Sequence, residues 1–564
     1  MSRRTRGTAV VAAVGLALVG GLALEGGPAG AAAGTHLTNV TSANGKAPGL
    51  TSPNVLSREL VELARAQGSM PVENPTDGIG YYGYDSTNNT PPLLPTLVNG
   101  SYDEAHKTEP DKNTYLVLKD QRGPDAGYDY GTHFLFQGHE SGSPGYVTRI
   151  NLDADPAHRV TLLATRDTAG KALPDFDGST FDPFANSLLL TAEAGCNGGV
   201  WGGAAAYSGA STFGELPALG KGGYEGVQTA SDGSIWMVED VGGSTVSGTN
   251  AKLANSYVYR FVPASRGDLS TGTLQALQVK DSGGAPLDTT SSITAPGLAA
   301  LHQYGHSFTT QWVPIHTTVA GNRTETFCAT TAAKAAKATA FKRPENGVFR
   351  PGTSFGEFFF TETGDTDANT SAGSAYGGFG GVFKLTQSSP SASTGTLTLA
   401  YLGDLQHTGL DNIQFLTADQ VAVVEDGGDA LHTQRNALDS GYLLDVTQAR
   451  PTPVRFLAEG RDASATIDSA LGGAKAAGDS RAASFGNDGD NEITGIHISD
   501  GDPTAAGLLG AQVPRPFSQG WRVFWTQQHG DNVTWEIVPT AAVDSAAGNS
   551  GGKGSSGDAE RQNS

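Results

Sequence analysis

Acidic residues recur at one place in a repeating pattern of this sequence. Each acid is followed by a small or polar residue, a β-prone run and a turn, and the five copies centre on Asp177, Glu225, Glu345, Asp411 and Glu492. Carboxylate oxygens are the ligands that Ca²⁺ prefers in proteins. Acid–Gly and acid–Asn pairs are also ordinary turn residues. One copy alone therefore indicates a turn, whereas five copies in the same phase of a repeat predict a shared metal site.

A second group of acids follows the next β-prone run in the same repeats. Its members are Glu193, Glu239, Asp240, Glu362, Glu425 and Asp426. The alternation of side chains along a strand does not decide whether this group lies at the same end as the first group or at the opposite end. Like charges that gather in a partly buried funnel repel one another and lose hydration, so bound cations would have to neutralise them.

One arginine stands beside the third of the recurring acids, in the string Arg343-Pro344-Glu345. Proline fixes its own backbone and pushes the preceding residue toward an extended conformation, so both flanking side chains have defined directions. An arginine beside a cation cluster is favourable when an anion lies between them, and its guanidinium fork matches the oxygens of a phosphate. We therefore predict that Arg343 binds a phosphate; the alternative is an ordinary surface arginine on a loop.

His302 and His306 have a zinc-like spacing. A zinc site needs a third protein ligand, and none lies nearby in the sequence, so we expect ordinary structural roles for both residues. The sequence also contains no P-loop and no dinucleotide-binding fingerprint. The recurring acids therefore remain the main candidates for chemistry.

The elements that must position these side chains form an internal repeat. Each copy is a short apolar strand, a polar pair or triplet, and a turn with glycine, in most copies followed by a recognisable second strand. The six copies start at Phe134, Leu188, Ile235, Phe358, Val421 and Val523. A unit of a few strands cannot bury both of its faces alone, so such repeats stack on one another. For β-units of roughly 40 to 50 residues the common closed arrangement is a propeller.

We therefore predict an all-β fold, a six-bladed β-propeller with inserted loops and a short helical insertion. Equivalent positions of successive blades lie in a ring around the central channel, which would bring the acids to one mouth. The largest insertion lies between Val262 and Lys342, and its alanine-rich end, residues 329–341, is predicted to be helical. Another helical stretch is predicted over residues 55–67. The structural alternative is a pair of β-sandwiches.

The overall charge excludes two classes of partner. The 564 residues include 36 Lys and Arg against 57 Asp and Glu, for a formal net charge of −21. Such a surface repels nucleic acids and anionic membranes. We expect a monomer that interacts with neither of them.

The N-terminus is typical of a signal peptide. Three arginines at positions 3, 4 and 6 precede the apolar run 9–24, and small residues at 29–33 offer cleavage sites. The apolar run is short for a membrane span of ~20 residues, so cleavage is favoured over an anchor. These features predict export by the Sec or twin-arginine route, to the cell envelope or the extracellular space.

The chain divides into four segments by composition. Residues 1–33 are the predicted signal peptide, 34–110 a polar N-terminal arm or cap, 111–540 the predicted propeller and 541–564 a disordered tail. The only two cysteines are Cys196 and Cys328. In an oxidising compartment they could pair, and the alternative is two buried thiols.

An ordered set of short strings resembles the PhoX-type alkaline phosphatases. In chain order the strings are Tyr224-Glu225-Gly226-Val227, Val238-Glu239-Asp240, Arg343-Pro344-Glu345, Asp411-Asn412-Ile413, Glu492-Ile493-Thr494-Gly495 and Gln528-His529-Gly530. Each string is common alone, and the specificity lies in their order. The resemblance runs over roughly residues 115–540. It implies an exported six-bladed propeller that hydrolyses phosphate monoesters, with calcium ions and an iron pair in its channel.

The resemblance also implies roles for individual residues. Arg343 and Glu345 would be catalytic, with Arg343 binding the phosphate, and the metal ligands would be Glu193, Glu225, Glu239, Glu345, Asp411 and Glu492. The family has a cysteine iron ligand upstream of the strand that matches Ser187 to Glu193. The corresponding string here, residues 177–180, contains no cysteine. Calcium is therefore the expected ion, and iron is the alternative.

The sequence thus predicts a secreted, metal-dependent phosphoric monoester hydrolase that acts on small phosphorylated substrates. A metal-activated water or oxo group would attack a phosphate held by Arg343 and the cations. Two alternatives stay open. One is a phytase-like or phosphodiesterase-like propeller, which differs in its substrate, and the other is a calcium-binding propeller without catalytic activity.

Overall fold

A computed structural model describes residues 36–45, 53–85, 96–98, 101–103, 106–140, 144–460, 492–518, 520–528 and 532–541. The predicted signal peptide, the tail beyond residue 541 and the dipeptide His529-Gly530 lie outside these residues. Within the described ranges, no helix is long and apolar enough to cross a membrane.

Strands dominate the described part of the chain. The strands of the N-terminal half are β1 (Val55–Leu56), β2 (Leu60–Ala66), β3 (Pro71–Thr76), β4 (Ile79–Tyr81), β5 (Tyr84–Asp85), β6 (Thr96–Val98), β7 (Ser101–Asp103), β8 (His106–Lys107), β9 (Pro110–Val117), β10 (His133–His139), β11 (Val147–Asn151), β12 (Val160–Ala164), β13 (Ser179–Asp182), β14 (Ser187–Ala192), β15 (Gly199–Gly203), β16 (Gly214–Glu215), β17 (Tyr224–Thr229), β18 (Ile235–Glu239), β19 (Val258–Pro263) and β20 (Gly272–Val279).

The C-terminal half continues in the same way. Its strands are β21 (Ser307–Thr318), β22 (Gly347–Phe349), β23 (Glu357–Glu362), β24 (Gly381–Thr386), β25 (Thr394–Leu402), β26 (Leu410–Phe415), β27 (Gln420–Glu425), β28 (Ser440–Asp445), β29 (Val454–Ala458), β30 (Glu492–Ser499), β31 (Arg522–Gln528) and β32 (Val533–Pro539). The α-helices of the described residues are α1 (Pro296–Leu301), α2 (Ala329–Ala335) and α3 (Gly428–Arg435).

Most strands pair antiparallel with their neighbours in sequence. Four of the main sheets have the strand orders β12-β11-β10-β9, β13-β14-β15-β16, β2-β32-β31-β30 and β1-β29-β28-β27-β26. A fifth sheet has nine strands in the order β17-β18-β19-β20-β21-β25-β24-β23-β22, and two small sheets contain β3-β4-β5-β8 and β6-β7. The nine-stranded sheet forms because the long inserted strand β21 pairs with both β20 and β25.

The first strand of each repeat lies next to the first strand of the following repeat. β9 contacts β13, β13 contacts β17, and the contacts continue through β22, β26 and β30 back to β9. The described chain is therefore all-β and propeller-like, as predicted. The prediction of six separate blades is met only in part, because the hydrogen-bonded pairing gives five main sheets rather than six.

The six sequence repeats coincide with the second strands of these sheets, β10, β14, β18, β23, β27 and β31. Their apolar runs are continuous because both faces of a strand are covered by neighbouring sheets. In β14, Leu189 packs in one buried cluster, whereas Leu188 and Leu190 pack in another. The period of two along the strand thus distributes successive side chains between two cores.

One predicted element is wrong. The helix expected over residues 55–67 is replaced by strands β1 and β2, and β2 pairs with β32 from Leu60 opposite Pro539 to Ala66 opposite Thr534. The segment Leu60–Ala66 has good helix formers, but the open edge of the last sheet provides hydrogen-bond partners along its whole length, and tertiary pairing overrides a weak local propensity. The helix predicted in the large insertion is confirmed as α2, although it ends at Ala335.

The two cysteines form a disulfide bond, Cys196–Cys328, which decides between the two alternatives left open by the sequence. Cys196 lies in the short turn after β14, and Cys328 caps the start of α2. The bond therefore ties the large insertion to the loop that begins with Glu193.

Candidate metal centre at the mouth of the strand ring

Two acids of the first repeat group, Glu225 and Asp411, lie where the pairing of the central strands becomes irregular. In β17 the register shifts between Tyr224 and Val227, which includes Glu225, and in β26 it shifts between Leu410 and Ile413, which includes Asp411. A β-bulge re-aims side chains and is common beside active sites. Glu225 and Asp411 lie close together with Glu345, each with a carboxylate oxygen within 4.8 Å of the others.

Both acid groups lie at the same end of the strands. Antiparallel pairing brings the beginning of a first strand beside the end of the second strand. In the second sheet, the backbone N–H of Glu193 donates to Oδ2 of Asp177 over 2.9 Å, and the N–H of Asp177 donates to the carbonyl of Thr191. The structure therefore answers the question that the strand alternation leaves open.

Seven carboxylates from five repeats converge at this end. They form three groups whose members each have an oxygen within 4.8 Å of the others: Asp111, Glu140 and Asp177; Asp177, Glu193 and Glu225; and Glu225, Glu345 and Asp411. Asp177 and Glu225 each belong to two groups, so the three groups are continuous. We call these seven residues the carboxylate arc.

The arc carries more negative charge than its surroundings favour. Burial, together with the neighbouring carboxylates, raises the pKa of Asp111, Asp177, Glu225, Glu345 and Asp411 well above the ordinary range. Oδ1 of Asp177 is buried and accepts no hydrogen bond. Bound hard cations would supply the missing countercharge and oxygen coordination. The donor set of the arc fits such cations.

Arg343 lies at one edge of the arc. Its Nε donates to both oxygens of Asp240 at 3.0 and 2.8 Å, and its Nη2 lies 2.6 Å from Asp240 Oδ2 and 3.6 Å from Oε1 of Glu345. Nη1 donates to the hydroxyl of Thr366 over 3.2 Å. The side chain is 22% exposed, whereas that of Asp240 is 2% exposed. Asp240 thus holds a guanidinium that solvent and a small ligand can reach.

Lys112 is a second cation at the arc. Its ammonium is buried and donates to Oδ1 of Asn346 over 2.9 Å. Burial lowers its pKa to about 8, while the charges of Asp411, Asp111 and Glu225 oppose that decrease.

Two of the predicted metal ligands lie outside the arc. Glu239 accepts hydrogen bonds from the hydroxyl of Tyr259 at 2.7 Å, from the N–H of Tyr257 at 3.2 Å and from the hydroxyl of Thr330. Glu239 is the last residue of β18 and pairs with Tyr224, and the next residue in the chain is Asp240. Since successive side chains point to opposite faces, Asp240 points to Arg343 while Glu239 points to a polar group of its own.

The same arrangement recurs at two other strand ends. Glu362 contacts His302 at 2.5 Å, which gives His302 a structural partner as expected, and Glu425 contacts Arg435 at 2.9 Å. All three terminal glutamates are fully buried. These three terminal glutamates therefore serve the local structure, whereas Asp240, which directly follows β18, pairs with Arg343 at the edge of the arc.

Glu492 is the other predicted ligand outside the arc. Glu492 pairs with Gln528, the last residue of β31, just as Leu410 pairs with Glu425, the last residue of β27. Glu492 is therefore equivalent to Leu410, which is one residue before Asp411. Glu492 hydrogen-bonds with Asp426 instead. A one-residue difference in register changes the direction of a side chain.

The structure adds Asp111 and Glu140, which the sequence reading did not select. Asp111 is the second residue of β9, in the string Pro110-Asp111-Lys112-Asn113, just as Asp411 is the second residue of β26. Glu140 follows β10 as Glu193 follows β14. The sequence pattern of an acid before a β-prone run is present at Asp111. The loop of residues 118–132 separates Asp111 from the second strand of its repeat, so its equivalence to the other acids is not evident from the spacing.

The family model described as "Alkaline phosphatase PhoX" matches residues 226–505, about half of the chain. The resemblance to the PhoX family is confirmed. The match includes Arg343, Glu345 and Asp411, whereas the other five carboxylates of the arc lie before its start: Asp111, Glu140, Asp177, Glu193 and Glu225.

Several solved structures are similar to this chain. A structure of Pseudomonas fluorescens PhoX, in complex with vanadate, a transition-state analogue, is 11% identical, with a TM-score of 0.52 over 90% of this chain and 98% of that one. The WD40 propeller domain of Doa1 is 7% identical (TM-score 0.29, 75% and 97% coverage), and Chaetomium thermophilum Sqt1 is 11% identical (0.31, 78% and 100%). No curated protein matches the sequence. At 11% identity the Pseudomonas fluorescens PhoX structure supports the propeller-like fold alone.

Proposed function

We propose that this PhoX-like protein is a metal-dependent phosphatase that hydrolyses phosphoric monoesters. The observation that carries the proposal is the carboxylate arc with the partly exposed guanidinium of Arg343 at its edge, next to Glu345. Cations beside a fixed arginine bind a phosphate from two sides. The family match over residues 226–505 supports the same activity.

We propose calcium as the resident ion. The arc offers oxygen ligands only, which suits Ca²⁺ and its 6 to 8 oxygen ligands. Both cysteines are in the disulfide, so neither provides the thiolate that the family's iron pair uses. The residues of this chain therefore do not fit that iron site, and we derive no step through it. Bound calcium would polarise a phosphoryl oxygen as a Lewis acid.

The protein's own side chains would then bind and orient the substrate. Arg343 would donate the remaining N–H groups of its Nη atoms to phosphate oxygens, while Asp240 holds the planar fork through Nε and Nη2. Glu345 lies 3.6 Å from Nη2 and also belongs to the arc, so it would join the arginine side of the phosphate to the cation side. These contacts would fix the phosphorus in line for attack.

Hydrolysis of p-nitrophenyl phosphate by purified protein, with calcium and after chelation, tests this function. We expect activity that chelation removes and calcium restores. Parallel assays with inositol hexakisphosphate and a phosphodiester separate the phytase-like and phosphodiesterase-like alternatives. No hydrolysis of any of them by the calcium-loaded protein would support a propeller without catalytic activity.

Two further features are proposals. We propose six blades, with the nine-stranded sheet comprising two of them joined by β21; the ring of six central strands supports this count. We also propose an exported, monomeric protein with its signal peptide removed and its N-terminal arm retained. The disulfide supports export, because such bonds persist in oxidising compartments. Mass spectrometry of secreted protein would locate the mature N-terminus.

A further inference from the structure

The residue directly after the first-strand acid of each repeat is uncharged in all but one of five repeats. In five repeats this position is occupied by Lys112, Gly178, Gly226, Asn346 and Asn412. Four of these residues are uncharged, and two of them have no side chain. A lysine at such a position places a full charge where the other repeats have none.

The surroundings of Lys112 hold its ammonium group in one place. It donates to Oδ1 of Asn346, whose Nδ2 donates to Oδ1 of Asp411 over 3.3 Å. A Cβ on Gly226 would lie 2.9 Å from the same oxygen of Asn346, so a side chain there would crowd the amide that receives the ammonium. The lysine thus connects the first repeat to the fourth and fifth across the ring.

The charge balance gives this contact a consequence. The seven carboxylates of the arc and Asp240, which pairs with Arg343, carry eight negative charges when ionised, and Lys112 and Arg343 bring two positive ones. A net charge of −6 remains for bound cations. Without Lys112 the net charge would be −7, and bound cations would have to supply the additional positive charge.

We infer that Lys112 is a fixed internal cation of the carboxylate arc, which stabilises the arc without metal and lowers its affinity for divalent cations. The inference rests on the proposed metal binding. A positive charge in a low-dielectric site repels an incoming cation. When no metal ion is bound, the same charge attracts the surrounding carboxylates. Lys112 is in this sense a positioning residue that does not contact the substrate.

The test compares Lys112→Met and Lys112→Arg with the wild type and with Lys384→Met as a control. Lys384 lies on β24, beside Glu357 at 4.0 Å, and is not part of the arc. Calcium affinity is measured at pH 7 by competition with a chromophoric chelator, and the unfolding temperature is measured without calcium. We expect Lys112→Met to bind calcium about tenfold more tightly, and to unfold at a lower temperature when metal-free. Lys112→Arg and Lys384→Met should resemble the wild type.

The sign of the affinity change makes the test decisive. If Lys112 had only a structural role, its replacement would lower the affinity for calcium. An unchanged or lower calcium affinity in Lys112→Met therefore overturns the inference. Should that variant fail to fold, Lys112→Gln, whose amide can still donate to Asn346, must show the same tightening. A wild type that binds no calcium at all refutes the proposed metal site, whereas a calcium-binding wild type with no tightening in the variants refutes only the role of Lys112.

Discussion

Glu225, like Asp177, is a carboxylate whose loss should weaken metal binding most, because each of the two belongs to two of the three groups of the arc. Glu193 belongs to one group, and Glu239 belongs to none of them. The substitutions Glu225→Gln, Glu193→Gln and Glu239→Gln each remove one negative charge and keep the size of the side chain. They therefore differ mainly in how many ions lose a ligand: two, one and none.

The magnitude follows from this count. Loss of a partner outside the ligand set costs about 10–100-fold in metal affinity, so loss of a ligand costs at least about 100-fold. At saturating calcium a 100-fold change removes about 2.7 kcal/mol of stabilisation per ion. Glu225→Gln should then lose about 5.4 kcal/mol, and Glu193→Gln about half of that. With an unfolding entropy near 2.1 cal/mol/K per residue, a chain of 564 residues should show decreases of roughly 4–5 °C and 2 °C.

Differential scanning calorimetry with calcium, and again after chelation, measures the increment that calcium adds to the unfolding temperature. This difference cancels any direct effect of a substitution on the metal-free protein, which matters for Glu239 because it is buried and hydrogen-bonded. Equal losses in the Glu225 and Glu193 variants would refute the shared-ligand geometry. A loss for Glu239→Gln as large as that for Glu225→Gln would refute the arc itself.

Three other outcomes are expected. Arg343→Ala should lower kcat/KM for p-nitrophenyl phosphate about 10–100-fold, the worth of a charged hydrogen bond, and a value within about twofold of wild type would contradict phosphate binding. The arc raises the pKa of its carboxyls, so the folded state without calcium binds more protons than the unfolded state at pH values above about 4. The free energy of unfolding of the chelated protein, measured in urea, should therefore fall as the pH rises from 5 to 8. A rise over that range would contradict the pKa directions. Cys196→Ser with Cys328→Ser should lower the free energy of unfolding by about 2–4 kcal/mol, and an unchanged urea midpoint would contradict a structural role for the disulfide.

Much of the architecture was accessible from local patterns. The continuous apolar runs such as Leu188-Leu189-Leu190 predict strands covered on both faces, and their recurrence before glycine turns predicts the repeat. The same recurrence brought Glu225, Glu345 and Asp411 into one prediction, and the structure places them together. Local propensity failed at Leu60–Ala66, where the partner strand lies more than 450 positions away, as in the pair Leu60 and Pro539.

The sequence by itself determined the kinds of element, the repeat and the chemical character of the site, because these follow from short-range periodicity and residue type. Only the tertiary structure decided which acid of each repeat faces the mouth. Glu239 and Asp240 are neighbours in the chain, yet only Asp240 reaches Arg343, and Glu492 stands one register position from the arc. Strand register and bulges are set by pairing between distant segments, and a shift of one residue turns a side chain to the other face.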